Sequence, residues 1–502
     1  MHLMPAHVRW CALALLMLPW VWPLAIGPWP STLPWLVSVT CGAALLLLYA
    51  WSRADVPALA AMAWLSAAVI SSAIGLIQYA GLSANLAPFV NTTPLGEAFA
   101  NLRQRNQFAT LTNIGLAVAM AWCASGWAAR SRPEGASVVC SPRHLLPLAG
   151  MAALLAVANA ASSSRTGLMQ LGVLLVLAWV WGWLRDRNTR IVLLAAGLAY
   201  GLAAVLLPRL AGLGPSAGGI LARLQDGSPE CASRLTLWDN VVQLIALKPW
   251  FGWGWGELDY AHFMTLYPGP RFCDILDNAH NLPLHLAVEL GVPVALVACG
   301  MGGWLVWRAR PWKATQPVRQ LAWAVLTLIL AHSMLEYPLW YGPFQIAAAL
   351  CIWVLWRTPL RAGATRLGSR LGVTTLAVAT LTAAAYASWD YRRVSQIYLP
   401  SGERAAAYRV DTFDKVKDSW LFARQVRFAE LTTTEMTPEN ASYVNAMAHD
   451  LLHFSPEARV VEKLIDSAQL LGREQETKDF MTRYEAAFPA AYASWVKSRS
   501  VR

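Results

Sequence analysis

A chain of 502 residues in which 56% are hydrophobic and only 14% charged, with a mean hydropathy of +0.40, is not that of a water-soluble globular protein. The formal net charge is +11. After residue 389 Lys plus Arg equal Asp plus Glu, so the excess sits among the apolar segments and speaks against nucleic acid as a partner.

In chain order, apolar stretches of roughly 17 to 23 residues recur from the N-terminus to about residue 388, long enough to span a bilayer. They predict helices over 10–28, 33–51, 57–79, 108–127, 145–161, 167–184, 190–207, 284–307, 320–335, 343–356 and 371–388. The first has a basic start and an apolar run, as a signal peptide does. It has no small-residue cleavage site and many further spans follow, so it reads as an uncleaved first helix. Arg9, Arg53, Arg130, Arg132, Arg185, Arg187, Arg308, Arg310 and Arg357 fall in alternate connections, which places those connections and the N-terminus in the cytoplasm. An odd number of crossings then leaves a large loop, about 208–283, and the tail outside. The expected fold is all-α: a polytopic membrane helix bundle of eleven or twelve spans over 1–388, with that loop and a C-terminal domain of helical hairpins over 389–502.

In the tail, Glu403 to Leu431, Pro456 to Leu471 and Gln475 to Phe488 space apolar residues at helical intervals. Pro438 and Pro456 read as first-turn prolines of new helices. Six cysteines, Cys11, Cys41, Cys123, Cys140, Cys299 and Cys351, lie in spans or a cytoplasmic loop without metal-ligand spacing. Cys231 and Cys273 share the outer loop, where an oxidising compartment permits a disulfide; two free thiols read equally well.

Ionisable groups are costly inside a membrane and usually face a cavity when present. Arg165, in the turn Ala161-Ser162-Ser163-Ser164-Arg165-Thr166-Gly167, is either an interfacial anchor or an anion ligand. Arg234 opens an amphipathic segment with Leu235, Leu237 and Trp238, and it carries the same two readings. Two guanidiniums on one side of a membrane could clamp phosphate oxygens bidentately. His280 stands just ahead of a helix whose first turn holds Pro283, reachable from outside. An imidazole there can take a proton from a hydroxyl nucleophile, or simply hydrogen-bond within its loop. His285, Glu289, His332 and Glu336 either line one interior or join helices through hydrogen bonds. The glycines of Gly252-Trp253-Gly254-Trp255-Gly256 have no following βαβ unit and so serve a tight bend rather than a dinucleotide. Trp238, Trp250, Trp253 and Trp255 suit an interfacial belt or a platform for sugar faces.

Together, Arg165, Arg234, the stretch Lys248-Pro249-Trp250-Phe251-Gly252-Trp253-Gly254 and the His280-Asn281 pair resemble the superfamily of bacterial O-antigen ligases, O-antigen polymerases and protein O-oligosaccharyltransferases. Arg103-Gln104-Arg105-Asn106-Gln107-Phe108-Ala109, His332-Ser333-Met334-Leu335-Glu336-Tyr337-Pro338-Leu339 and Ser455-Pro456-Glu457-Ala458-Arg459 are similar to the protein-glycosylating branch. Arg105 stands where that branch often has Pro. The resemblance implies a transferase in the bacterial inner membrane. It would move a preassembled glycan from undecaprenyl diphosphate to an acceptor hydroxyl on the periplasmic face. The implied acceptor is Ser or Thr of a pilin-like protein, then lipid A core, then a growing glycan chain. By similarity His280 is the catalytic base, and Arg165 and Arg234 bind the diphosphate. Gln104, Asn106, Asn281, His285, Glu336 and Tyr337 are supporting groups. No cofactor or metal is expected; Asp274 and Asp277 are the only weak metal candidates. A lipid-linked sugar transporter is the competing class, but it should show paired repeats, which the two halves lack.

Overall fold

The computed structural model describes residues 5–25, 27–51, 55–125, 142–213, 219–225, 230–356 and 367–500. Cys140, Arg53, Arg130, Arg132 and Arg357 lie outside them. Every regular element among the described residues is helical.

The apolar segments form α1 (Ala6–Val21), α2 (Thr32–Trp51), α3 (Val56–Tyr79), α4 (Arg105–Ser125), α5 (Pro142–Ala161), α6 (Arg165–Val180) and α7 (Arg187–Leu210). After α8 (Gly219–Gln225), α9 (Arg234–Leu247) and α10 (Leu258–Met264), the apolar pattern resumes in α11 (Leu282–Leu290), α12 (Val292–Ala309), α13 (Pro317–Ser333), α14 (Gly342–Trp356) and α15 (Leu367–Val394). Starts are set by side chains that satisfy first-turn N–H groups. Asp55 accepts from Ala58 N ahead of α3 at 3.3 Å, and Asp186 accepts from Thr189 N ahead of α7 at 2.7 Å. Among the described residues α2, α3, α4, α7, α12 and α15 are long and apolar enough to cross a membrane, and α1, α5, α6 and α14 are shorter apolar helices. The chain is a multi-pass membrane protein.

The described residues pack as two compact units, Met1–Gly227 with Val306–Ala385, and Ser228–Leu305 with Tyr386–Arg502. In the first unit α4 is central and almost wholly buried, whereas α7 is mostly unburied and presents apolar surface outward. Such surface is what a lipid environment demands. Hydrophobic burial cannot bring helices together in lipid, so close approach through small side chains must. Fully buried Ala61, Ala63, Ala67 and Ala68 on α3, Ala117, Ala119 and Ala121 on α4, and Ala152 and Ala158 on α5 allow it. Trp20 packs edge-on to Phe344, ring centroids 4.9 Å apart, tying α1 to α14.

In the second unit the expected helix over 284–307 is broken. Gly291, at φ +89°, separates α11 from α12, so His285 and Glu289 lie on α11, ahead of the candidate span that starts at Val292. The stretch after Lys248 braces the break. Val292 N–H donates to Pro249 O at 2.8 Å, Trp253 N–H to Val288 O at 2.9 Å and Gly254 N–H to Glu289 O at 3.0 Å. Gly252 (φ +67°) and Gly291 lie backbone against backbone: a Cβ on Gly252 would collide with the Glu289 carbonyl, and one on Gly291 with the Trp250 carbonyl. Cys231 and Cys273 form a disulfide, their Cα atoms 5.2 Å apart, and Cys273 N–H donates to Cys231 O. Closing that 42-residue separation is worth about 4 kcal/mol on chain entropy.

The tail continues with α16 (Ala423–Thr433), α17 (Ala441–Leu452), α18 (Ala458–Leu470), α19 (Glu474–Ala487) and α20 (Pro489–Ser500), successive helices packing on one another. The helix expected from Glu403 is largely absent. Residues 404–422 hold one short 3-10 helix, Ala406–Tyr408, among bends and turns, and Arg404 and Lys415 donate to the carbonyls of Leu399, Ala407 and Val410 and satisfy them outside an α-helix. Pro438 and Pro456 precede the N-caps Asn440 and Glu457 rather than entering the first turn. Phe263 of α10 is buried in the tail's core with Phe428, Val460 and Tyr484, and Tyr260 stacks on His453 at 3.8 Å. The loop and the tail therefore share one core.

Two outcomes follow from this packing. Gly252→Ala should lower the Tm of the purified protein by an amount equivalent to roughly 1–3 kcal/mol; an unchanged Tm would mean the backbone contact at Gly291 does not matter. His262 is buried, with Nε2 3.1 Å from Phe272 O and Nδ1 2.8 Å from Tyr267 Oη. Burial pushes it from 6.5 down to about 3, and the Arg271 guanidinium adds to the effect. A depressed imidazole leaves the folded state fully stable above pH 6.5 and costs stability as pH falls toward 3, because the unfolded chain takes the proton first. His262→Gln, which does not titrate, should gain on the wild type through that window. A wild-type-to-variant difference that is constant with pH would contradict this.

Candidate functional site

In the first unit, the turn between α5 and α6 is built from serines. Ser163 takes a left-handed backbone (φ +52°), and Ser164 caps α6 by accepting from Gly167 N at 2.9 Å. Arg165 is the first residue of α6 and is exposed, whereas Ser162, Ser163, Ser164, Thr166 and Gly167 are buried. The turn is held from behind. Ser164 Oγ donates to Asn106 Oδ1 at 2.6 Å, and Asn106 Nδ2 donates to Glu336 Oε1 at 3.1 Å. One turn further along α4, Thr110 Oγ1 lies 3.1 Å from Gln170 Oε1 and 3.0 Å from His332 Nδ1. Asn113 donates to Gly167 O, and Asn159 to Ala109 O. A continuous polar web thus joins α4, α5, α6 and α13 in an otherwise apolar interior.

Two basic residues stand beside Arg165. Arg105, the first residue of α4, is 3.4 Å from Glu97 Oε1. Arg223 of α8 donates to Ser163 O at 3.2 Å. Gln104 precedes Arg105, and its Oε1 is buried without a hydrogen-bond partner among the described residues. Tyr337 follows Glu336 and stacks on Tyr341, centroids 5.8 Å apart.

In the second unit, His280 is half-buried and takes a left-handed backbone (φ +50°), a costly conformation for a residue with a side chain. It is over-determined by its neighbours. His280 N–H donates to Asn278 Oδ1 at 2.9 Å, and Asn281 caps α11 by accepting from Leu284 N at 3.1 Å, with Pro283 in the first turn. Arg234 opens α9 behind the cap Ser233. One helical turn on, Trp238 Nε1 donates to Ala279 O at 3.1 Å, so the helix bearing Arg234 is pinned to the residue before His280. His285 Nε2 is 3.4 Å from Glu289 Oε2 on α11. Trp253 is likewise structural: its Nε1 donates to Leu244 O and Lys248 Nζ lies 4.0 Å over its ring. Trp250 and Trp255 remain exposed.

Arg165, Asn106, Gln104, Glu336 and Tyr337 therefore belong to the first unit, and Arg234, His280, Asn281 and His285 to the second. Sequence reading missed Arg223, which sits in a short helix with too few residues to show a period. It also missed the Ser164–Asn106–Glu336 chain, whose members are up to 230 residues apart. Among the described residues no group of three or more His, Cys, Asp or Glu side chains could hold a metal ion.

Three family models match along the chain: protein glycosylation ligase over residues 98–123, O-antigen ligase over 150–299, and the C-terminal part of a virulence factor membrane-bound polymerase over 320–501. In three separate stretches, each shorter than half of the chain, the protein is thus similar to O-antigen ligases, protein glycosylation ligases and membrane-bound polymerases. The O-antigen ligase match contains Arg165, Arg223, Arg234 and His280; the glycosylation ligase match contains Gln104 and Asn106. A general O-oligosaccharyltransferase from Acinetobacter baylyi is 24% identical over 293 residues, which is 56% of this chain and 47% of that relative. The chain thus aligns with less than half of the relative's length.

Ser164→Ala removes both the α6 cap and the Asn106 contact. It should destabilise the turn by about 1–2 kcal/mol, visible as faster hydrogen exchange at the start of α6. Unchanged exchange there would show that the web does not hold the turn.

Proposed function

We propose that this protein is a member of the O-antigen ligase and O-oligosaccharyltransferase superfamily and transfers a preassembled glycan from undecaprenyl diphosphate to an acceptor hydroxyl on the periplasmic face of the bacterial inner membrane. In this reading the N-terminus is cytoplasmic, residues 1–388 form the membrane domain, and the large loop and the tail from 389 face the periplasm. The observation that carries it is the seating of His280. An imidazole is held in a strained turn by Asn278 and Asn281, half-exposed, and pinned through Trp238 to the helix that Arg234 begins. Strain of this kind persists where the surroundings enforce it, and functional sites are where it collects.

The chemistry needs three things. As the acceptor oxygen attacks the anomeric carbon, the imidazole of His280 takes the hydroxyl proton. The bond from that carbon to the diphosphate oxygen breaks, and its electron pair leaves with undecaprenyl diphosphate. Arg165 and Arg234 take up the charge that develops there, a role for which the guanidinium fork suits phosphate oxygens. Asn106 and Glu336 act through Ser164 to position Arg165. Asn281 positions His280, while Gln104, His285 and Tyr337 are supporting groups. Guanidiniums supply the positive charge, so no divalent ion is required.

For the acceptor we favour Ser or Thr of a pilin-like protein. The glycosylation-ligase match over 98–123 supports this, as does the similarity to an O-oligosaccharyltransferase. Lipid A core is the second reading, favoured by the O-antigen ligase match over 150–299. Deletion in the native host separates the two. Altered pilin mobility with an intact lipopolysaccharide ladder supports the first; loss of the ladder with unchanged pilin overturns it.

With purified protein in liposomes and a fluorescent lipid-linked glycan, His280→Ala should cut transfer about 10²- to 10⁴-fold. Arg165→Ala and Arg234→Ala should each cut it about 10²- to 10³-fold while the protein still inserts. Full activity in all three would remove the site. Chelation with EDTA should leave transfer unchanged, and a loss that added Mg²⁺ restores would contradict the metal-independent reading.

A further inference from the structure

Arg223 has no part in the chemistry above, yet it is docked on the turn that carries Arg165. Its Nη1 donates to the carbonyl of Ser163, two residues before Arg165, and the guanidinium is half-buried at the end of α8. Burial depresses its proton affinity, and repulsion from Arg105 and Arg165 depresses it further. Glu97 alone acts in the opposite direction. Glu97 also lies 3.4 Å from Arg105, so one carboxylate answers two of the three guanidiniums. Like charges gathered at one place, one of them half-buried, repel one another unless an anion joins them. All four residues lie in the first unit, which makes the cluster a site in its own right.

We propose that Arg105, Arg165 and Arg223 together form an anion site for the diphosphate of the lipid-linked donor, with Arg223 as a binding residue for the phosphoryl group that Arg165 does not hold. This rests on the function proposed above. The Ser163 carbonyl uses one N–H group of Arg223. A guanidinium has five such donors, so others remain for phosphate oxygens. Glu97 orients Arg105 and limits the excess charge when the donor is away.

The test is binding of undecaprenyl diphosphate to the full-length protein in detergent, with undecaprenol as the uncharged control for the lipid tail. Wild type should prefer the diphosphate. Arg223→Gln keeps a donor for the Ser163 carbonyl but removes the charge; it should weaken diphosphate binding about ten- to hundredfold, the range of a charge-assisted hydrogen bond. It should leave undecaprenol binding unchanged and flatten the salt dependence. In transfer assays it should raise KM for the donor and leave kcat at saturation within a few-fold of wild type. Arg223→Lys should recover part of the loss.

Wild-type binding by Arg223→Gln, alongside weakened binding by Arg165→Ala, would overturn the role of Arg223 and leave the function standing. A wild type that binds the diphosphate no better than undecaprenol would overturn both. A second measurement uses the wild-type chain alone and does not depend on how the variants fold. Modification of Arg223 by phenylglyoxal, followed by mass spectrometry, should slow when undecaprenyl diphosphate is present but not with undecaprenol. Equal modification in both would overturn the proposal.

Discussion

A polar group inside a lipid-embedded bundle has no water to fall back on, so its partner must come from another helix. That constraint shapes the first unit. Asn106, Thr110 and Asn113 lie along one side of α4, and each is answered from elsewhere: by Ser164 and Glu336, by Gln170 and His332, and by the Gly167 carbonyl. Apolar packing alone would leave the turn after α5 free to slide. The web fixes it, and with it the exposed Arg165.

The second unit solves a different problem, that of holding one side chain still at the edge of a loop. His280 sits in a backbone conformation that costs energy, and four devices around it offset that cost. Asn281 caps α11, Trp238 clamps the preceding carbonyl, two glycines let the 249–254 stretch lie against the α11–α12 break, and a disulfide closes the loop. The tail adds a fifth. Glu257 pairs with His453 at 2.6 Å, and Phe263 enters the tail's core, so the loop carrying His280 is supported from the C-terminal helices as well. Asp390, buried and bonded to Arg393 and Ser419, fixes where that tail begins.

Long apolar runs were legible in the sequence because hydropathy needs no partner: each expected segment overlaps helical residues, although 284–307 falls on two helices, α11 and α12. The break at Gly291 was not legible, since Leu290, Val292 and Val294 continue the apolar pattern across it and only a backbone contact with Gly252 requires it. The tail segment from Glu403 has helical spacing, yet long basic side chains satisfy its carbonyls in tight turns. In the site, Arg165, Arg234 and His280 could be singled out by residue type and position. Their supports could not, because pairs such as Asn106 with Glu336 and Trp238 with Ala279 leave no periodic trace. For His285 with Glu289, and His332 with Glu336, the sequence leaves two readings, a shared interior or hydrogen bonds that join helices. The first pair falls in the second unit, where its members meet each other on α11, and the latter in the first, where His332 meets Thr110 and Glu336 meets Asn106 of α4.

In the function proposed above, Arg165 and His280 serve one donor molecule. The most direct test is a distance between spin labels at positions 165 and 280, in full-length protein in nanodiscs with the other free thiols replaced. A separation no greater than the span of a sugar diphosphate between the two labels, and a narrower distribution once undecaprenyl diphosphate is added, is the predicted result. A much longer separation that the lipid leaves unchanged would contradict a shared reaction chamber.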